Sequence, residues 1–253
     1  MKRHLPTLVL LILFGAAAMA QGPDAAKSNS ATATAATNTI AAAPAINASS
    51  TPLELARAAL AAQGGDKFKN LRSTMLVGTV DLYPPNTIQS TPGKFVMITV
   101  GDKMRIDIEA VGMPKFKQVF DGQRSYSSIP GAEMPPLSKV GLPMLGKFDQ
   151  PGYKVSALPD KKKLRGFRVV DPEGNTTDFY LDPANGRVMQ YLIPSTNFTF
   201  GTEHSKFKEV DGVLVPMNFS QRLEMQQGAF FAEYKVKEVK INQPIGDDVF
   251  VIE

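Results

Sequence analysis

From Ser73 onward, apolar residues recur at every second position. Between 213 and 225, Val213, Val215, Met217, Phe219, Leu223 and Met225 share one parity, while Leu214, Pro216, Asn218, Ser220, Arg222 and Glu224 hold the other. Met104, Ile106 and Ile108 likewise oppose Arg105, Asp107 and Glu109. Strict alternation marks antiparallel strands with one dry face. At about 3.3 Å per residue the stretch 213–225 predicts a strand of roughly 40 Å, long enough that it must twist or curl. Asp121-Gly122, Glu173-Gly174-Asn175, Asn185-Gly186 and Asp211-Gly212 supply turn chemistry between such segments. About ten strands are predicted, near 73–83, 93–100, 103–111, 115–121, 123–128, 163–170, 176–182, 187–193, 197–209, 213–226 and 229–241. In the last, Phe230, Ala232, Tyr234 and Val236 share a parity that Val239 and Ile241 do not, which predicts a β-bulge near Lys237-Glu238.

Two segments depart from this period. Thr51-Pro52-Leu53-Glu54 is a capping box with proline at the first helical position, and it opens a helix over Leu53–Gln63 that Gly64-Gly65 stops. Leu53, Ala56, Ala59 and Leu60 are expected on its buried face. The second departure runs from Pro135 to Phe148, where Leu137, Val140, Leu142, Met144, Leu145 and Phe148 are interrupted by Gly141, Pro143 and Gly146. Pro143 breaks a continuous helix, so two short helical pieces or an apolar loop are expected, serving as core filler or as a lid over the sheet.

The chain begins with Lys2, Arg3 and His4, an apolar run from Leu5 to Phe14, and an A-x-A ending at Ala20. This is the layout of a cleavable export signal over residues 1–20. Leu8–Ala20 is about 13 residues of apolar chain, short of the roughly 20 that cross a bilayer. Residues 21–50 are dominated by Ala, Ser, Thr and Asn and predict a disordered linker before a domain over 51–253. Losing Lys2 and Arg3 leaves 26 basic residues against 24 acidic ones, so charge implies no strongly charged partner. Lys161-Lys162-Lys163 with Arg165 is the one dense basic run, and it reads as a solvated strand entry. Without tryptophan or aromatic–basic interleaving, no nucleic-acid partner is indicated. The chain has no cysteine, so stability rests on a packed core, and a periplasmic location fits best.

Catalytic candidates are few. Beyond the signal the single histidine is His204, expected as a partly exposed strand residue; no cysteine nucleophile or histidine-rich metal site is available. Asp171, Glu173 and Asp178 crowd one turn without the spacing of a calcium loop, and Asp247-Asp248 is expected to cap a terminal turn. No phosphate loop is present, and neither enzymatic activity nor a cofactor is indicated. Apolar supply is plentiful instead. Nine methionines remain after the signal, and phenylalanine dominates the aromatics. Methionine suits a pocket for varied acyl chains. One sheet of about ten strands has more dry face than one helix and one broken segment can cover, so it either closes into a barrel or encloses a cavity.

The order of elements resembles the periplasmic lipoprotein-sorting carriers of the LolA/LolB-like fold. The resemblance is carried by the helix ending in Gly-Gly, by Met104-Arg105-Ile106-Asp107-Ile108, and by Val119 to Tyr126 around Asp121-Gly122. Phe179-Tyr180-Leu181-Asp182 with Gly186-Arg187-Val188, and Val239 to Ile245 with Asp248 and Phe250, complete it. Val100-Gly101-Asp102-Lys103, at the place where the carriers hold the basic residue that latches the lid, has no Arg and no Pro, so that role is not transferred. The resemblance implies a mainly β half-barrel: one long curved antiparallel sheet with an N-terminal helix and a broken helical lid. On strand parity and the broken segment, an apolar cavity with a lid would place Leu142, Met144 and Leu145 in the lid and Met217 and Phe219 in the wall, joined by Met104 and Ile106 if both dry faces are the same side. The implied function is carriage of acyl chains, lipids or lipoproteins, with an inner- or outer-membrane acceptor protein. The alternative is a non-transporting interaction or stress-sensor module of the same fold.

Overall fold

A computed structural model describes residues 46–252 apart from 86, 129–135, 196–198 and 226–227. The export signal and most of the linker lie outside the described residues. The domain opens with helix α1 (Pro52–Gln63) and a single turn, α2 (Asp66–Lys69). Twelve strands follow among the described residues: β1 (Ser73–Tyr83), β2 (Thr91–Val100), β3 (Lys103–Ala110), β4 (Phe116–Phe120), β5 (Ser125–Ser127), β6 (Lys154–Ala157), β7 (Arg165–Val170), β8 (Thr176–Leu181), β9 (Val188–Pro194), β10 (Thr199–Val210), β11 (Val213–Met225) and β12 (Gly228–Ile241).

All twelve form one antiparallel sheet in the order β5-β4-β3-β2-β1-β12-β11-β10-β9-β8-β7-β6. The sheet is thus two meanders fused where the first and last strands pair, and its edges β5 and β6 do not meet. This is the expected curved half-barrel, not a closed barrel. Sequence alternation missed β6, a four-residue edge strand whose residues are mostly exposed and so carry no apolar period. The bulge expected near Lys237-Glu238 is present: Val77 pairs with Glu238 but Gly78 with Val236, leaving Lys237 as the extra residue. Gly78 is required there, since a Cβ would sit 2.1 Å from the Lys235 carbonyl oxygen.

The topology explains the broken apolar segment. The chain leaves β5 at one edge of the sheet and must enter β6 at the other. The intervening residues carry a 3₁₀ turn at Leu142–Gly146, short because Pro143 and the flanking glycines prevent a longer helix. This is the apolar-loop form of the two expectations.

The capping box at Thr51 is formed as expected: the Thr51 hydroxyl accepts from the Glu54 amide and the Glu54 carboxylate accepts from the Thr51 amide at 2.7 Å. Thr51→Ala removes one half of it and is expected to cost about 1 kcal/mol. A drop of roughly 2–4 °C in Tm is the check. The buried face of α1 differs from expectation. Leu53 is 39% exposed, while Leu55, Ala56, Ala58, Ala59 and Gln63 are buried. The helix touches both the sheet and the 142–146 turn, so its covered arc is broader than one stripe and rotated away from Leu53. Within the segment expected as linker, Ile46 packs on the core and Arg165 donates to the carbonyls of Asn47 and Ala48.

On the convex side, Ile98 and Val119 are covered by the C-terminal segment through Phe250, with Ile245 and Val249 alongside. The final turn, Asp247–Phe250, has no side-chain cap, contrary to the role expected of Asp247-Asp248; Asp247 pairs with Lys103 at 2.7 Å instead.

Candidate ligand cavity

Register determines which side chains meet inside the curve. Met104 pairs across to Thr99 and Phe120, and Ile106 to Met97 and Gln118, so these share the concave face with Phe95 and Ile108. On the other half, Phe219 lies between His204 and Tyr234. Phe219 stacks on Tyr234 with ring centroids 4.6 Å apart, and Phe95 meets Tyr234 edge-on at 5.0 Å. This aromatic group makes a rigid base to the concavity.

The crossing segment closes over it. The Ser138 hydroxyl donates to the Asp102 carbonyl at 2.5 Å. The Thr177 hydroxyl accepts from the Gly141 amide at 2.9 Å and donates to the Met144 sulfur at 2.9 Å. Lys147 pairs with Asp102 at 2.7 Å and Lys69 with Asp149 at 2.5 Å. Gly141 has φ +68, and a Cβ there would lie 3.0 Å from the Tyr191 ring, so only glycine lets the segment approach so closely.

Between this segment, α2 and the sheet lies a cavity of about 430 Å³, partly open to solvent. Its walls are mostly apolar and include Met97, Met104, Ile106, Leu142, Phe219 and Val239. Of the seven residues expected to form cavity and lid, Met104, Ile106, Leu142 and Phe219 line it. Met144 and Leu145 do not. They are 1% and 0% exposed and belong to the core that α1 makes with β7–β10. The 3₁₀ turn presents Leu142 to the cavity and sends the next two apolar residues into that core. Met217 packs between two apolar clusters on β11 and is not part of the lining.

The sequence reading missed the polar members of the wall. Tyr191, Thr202, His204 and Gln221 all line the cavity. Their signal was available as the parity that Tyr191 shares with Ile193, Thr202 and His204 with Phe200, and Gln221 with Phe219, but polar residues at apolar positions resemble surface positions in a sequence. His204 is the clearest correction. It is buried, not partly exposed, because β10 is an interior strand and His204 faces the concave side under Tyr191, whose ring centroid is 5.5 Å away. Its Nδ1 donates to the Val188 carbonyl at 3.0 Å, and burial pushes its pKa down to about 4, so the ring is neutral near pH 7. Among the described residues no carboxylate is hydrogen-bonded to it, so it is not part of a carboxylate–histidine pair. Burial raises the Tyr191 phenol to about 12 and moves Tyr234 upward as well, so both hydroxyls stay protonated.

The acidic cluster at the β7–β8 turn is structural. Asp171 accepts from the amides of Glu173 and Asn175, and Asp178 forms a two-point pair with Arg168 at 2.6 and 2.8 Å. No group of acids and histidines among the described residues is arranged to hold a metal. In the basic run, Lys161 lies against the Tyr180 ring and donates to Gln190 at 2.9 Å. No described helix is long and apolar enough to cross a membrane.

No family model matches the sequence, and no curated protein matches it. Among solved structures, the chain is similar to a LolA superfamily protein from Nitrosomonas europaea at 11% identity and a TM-score of 0.49, covering 77% of this chain and 97% of that one. It is also similar to a DUF1329 family protein from Desulfovibrio piger at 8% identity and a TM-score of 0.49, covering 79% of this chain and 95% of that one. Likenesses this distant concern the course of the backbone alone. The half-barrel that the sequence resemblance implied is the architecture found here, and LolA superfamily structures are among those it is similar to.

Proposed function

We propose that this protein is an exported carrier or binder of acyl chains, lipids or lipoproteins in the cell envelope, and that apolar chains are sheltered in the concave cavity. The observation that carries the reading is the unfilled interior. Cores are packed to crystal-like density, with few voids larger than a water molecule. An apolar space of about 430 Å³, partly open and within the range of ligand sites, is better understood as a binding site than as a packing defect. Release across the inner membrane after cleavage at Ala20–Gln21, and delivery to a membrane acceptor, belong to the same proposal.

Native mass spectrometry of the full chain purified from its own envelope is the test. The expected result is a fraction of protein carrying the added mass of an acyl-chain molecule, together with saturable binding of the uncharged fluorophore N-phenyl-1-naphthylamine. Absence of both the adduct and the fluorophore binding would favour a non-transporting interaction module.

A further inference from the structure

Across the centre of the sheet, Tyr191 on β9, Thr202 on β10 and Gln221 on β11 are direct cross-strand neighbours, so their side chains stand in one row on the concave face. His204 lies two residues along β10 from Thr202 and so shares that face. We propose that this polar row selects the cargo: the cavity takes an apolar-chain ligand whose polar group is uncharged, such as an alcohol, amide or ester. The inference rests on the carrier reading and narrows it.

The row offers both halves of a hydrogen bond. Tyr191 and Thr202 bring hydroxyls, and Gln221 brings an amide with donor and acceptor. Because the Val188 carbonyl can only accept, Nδ1 of His204 carries the proton and Nε2 is left as an acceptor. Some of this capacity is unused within the protein. Thr202 Oγ1 is buried without a partner in hydrogen-bond geometry, although it lies near enough to the Tyr191 hydroxyl to offset slightly the effect of burial there. Gln63, at the end of α1, is fully buried with neither amide atom bonded, and it too lines the cavity. Buried polar atoms without partners are rare and costly, so positions that served only packing would be filled better by Val or Leu.

The row is also uncharged. Only burial and the Val188 carbonyl perturb His204, and only burial and Thr202 perturb Tyr191. Of the charged residues in the cavity lining, Lys69, Asp102, Arg105 and Lys147 are already ion-paired and Arg72 is exposed to solvent, whereas Tyr191, Thr202 and His204 are buried among neutral groups. An ionised head group on the row would shed its water without meeting a counter-charge. A neutral group gives up less and gains the vacant hydrogen bonds, and sites of that kind discriminate strongly between ligands.

The experiment is displacement of N-phenyl-1-naphthylamine from the full chain by four compounds with a twelve-carbon chain: dodecanol and dodecanamide below their solubility limits, and dodecyl sulfate and dodecyltrimethylammonium below their micelle concentrations. Dodecanol and dodecanamide are expected to displace the fluorophore at concentrations at least tenfold lower than either ion. In T202V/Q221L that preference should shrink to within about threefold, each displacement being scaled to the fluorophore affinity of the variant itself. Gln63→Leu, on a different element, serves the same purpose if the double variant does not fold. Equal displacement by ions and neutral compounds, or a preference that survives the substitutions, would overturn this inference and leave the carrier reading standing. Failure of the fluorophore to bind the wild type removes the carrier reading and this inference with it.

Discussion

Leu145→Asp is expected to unfold the domain, whereas Leu142→Asp, three residues earlier in the same turn, is expected to leave it folded and impair binding. Leu145 is 0% exposed and packs in the core shared by α1, Phe167, Phe179 and Val188. Truncating such a leucine costs about 2–5 kcal/mol, and placing a carboxylate in the space adds the penalty of an unpaired buried polar group. Against a total of about 5–15 kcal/mol, the folded state would be largely lost. Leu142 is only half-buried and faces the cavity, where a carboxylate keeps access to water. Its stability cost should stay within about 1 kcal/mol, while a charge in the apolar wall weakens binding of N-phenyl-1-naphthylamine by tenfold or more. Urea unfolding followed by circular dichroism, with a fluorophore titration, separates the two. If both variants unfold, the turn is core throughout and forms no part of a binding wall. If both fold and bind normally, the segment is peripheral.

The second large effect is a loss of stability between pH 6.5 and 4 that originates at His204. The folded protein holds this imidazole neutral down to a pKa of about 4, whereas the unfolded chain takes up the proton near 6.5. Between those values the unfolded state binds more protons, so stability falls as the pH falls and is flat above the window. At about 1.4 kcal/mol per pH unit the full loss is on the order of 3 kcal/mol. Glu54, Asp121 and Asp149 have carboxyl pKa values lowered from values already at or below 4.5, so they titrate beneath most of this range. His204→Asn keeps an N–H for the Val188 carbonyl and removes the titrating ring. The expected result is that the wild-type urea midpoint drops steeply from pH 7 to pH 4.5 and the variant's drops much less. Parallel curves would mean that His204 is not the group responsible.

Much of the architecture was legible in the sequence because its causes are local. The cap at Thr51 and Glu54 needs only a four-residue spacing, and the helix stop needs only Gly64-Gly65. The parity of β3 and β11 follows from the pleat, which sends neighbouring side chains to opposite faces whatever the strand pairs with. The bulge at Lys237 was readable for the same reason: a change of parity within one strand has no other economical geometry. Where such signals fade the reading stopped. β6 is an exposed edge strand of four residues, and an edge has no dry face to write a period into the chain.

What only the tertiary structure decided was depth. Parity says that Met104, Ile106, Met217 and Phe219 each lie on the dry side of their strand, but not whether that part of the face meets a neighbour, a cavity or water. Three of them line the cavity, and Met217 is covered by other apolar clusters. The same limit let His204 pass for a partly exposed strand residue and hid the polar row of Tyr191, Thr202 and Gln221, whose members are adjacent only through strand pairing. The separation of Leu142 from Met144 and Leu145 depends on where one loop lies as it passes from β5 to β6. That path is set by contacts with Asp102, Met104 and Thr177, residues far along the chain. Alternation is a property of neighbours in sequence, whereas a cavity is a property of how twelve strands curl together, and no local pattern encodes the curvature.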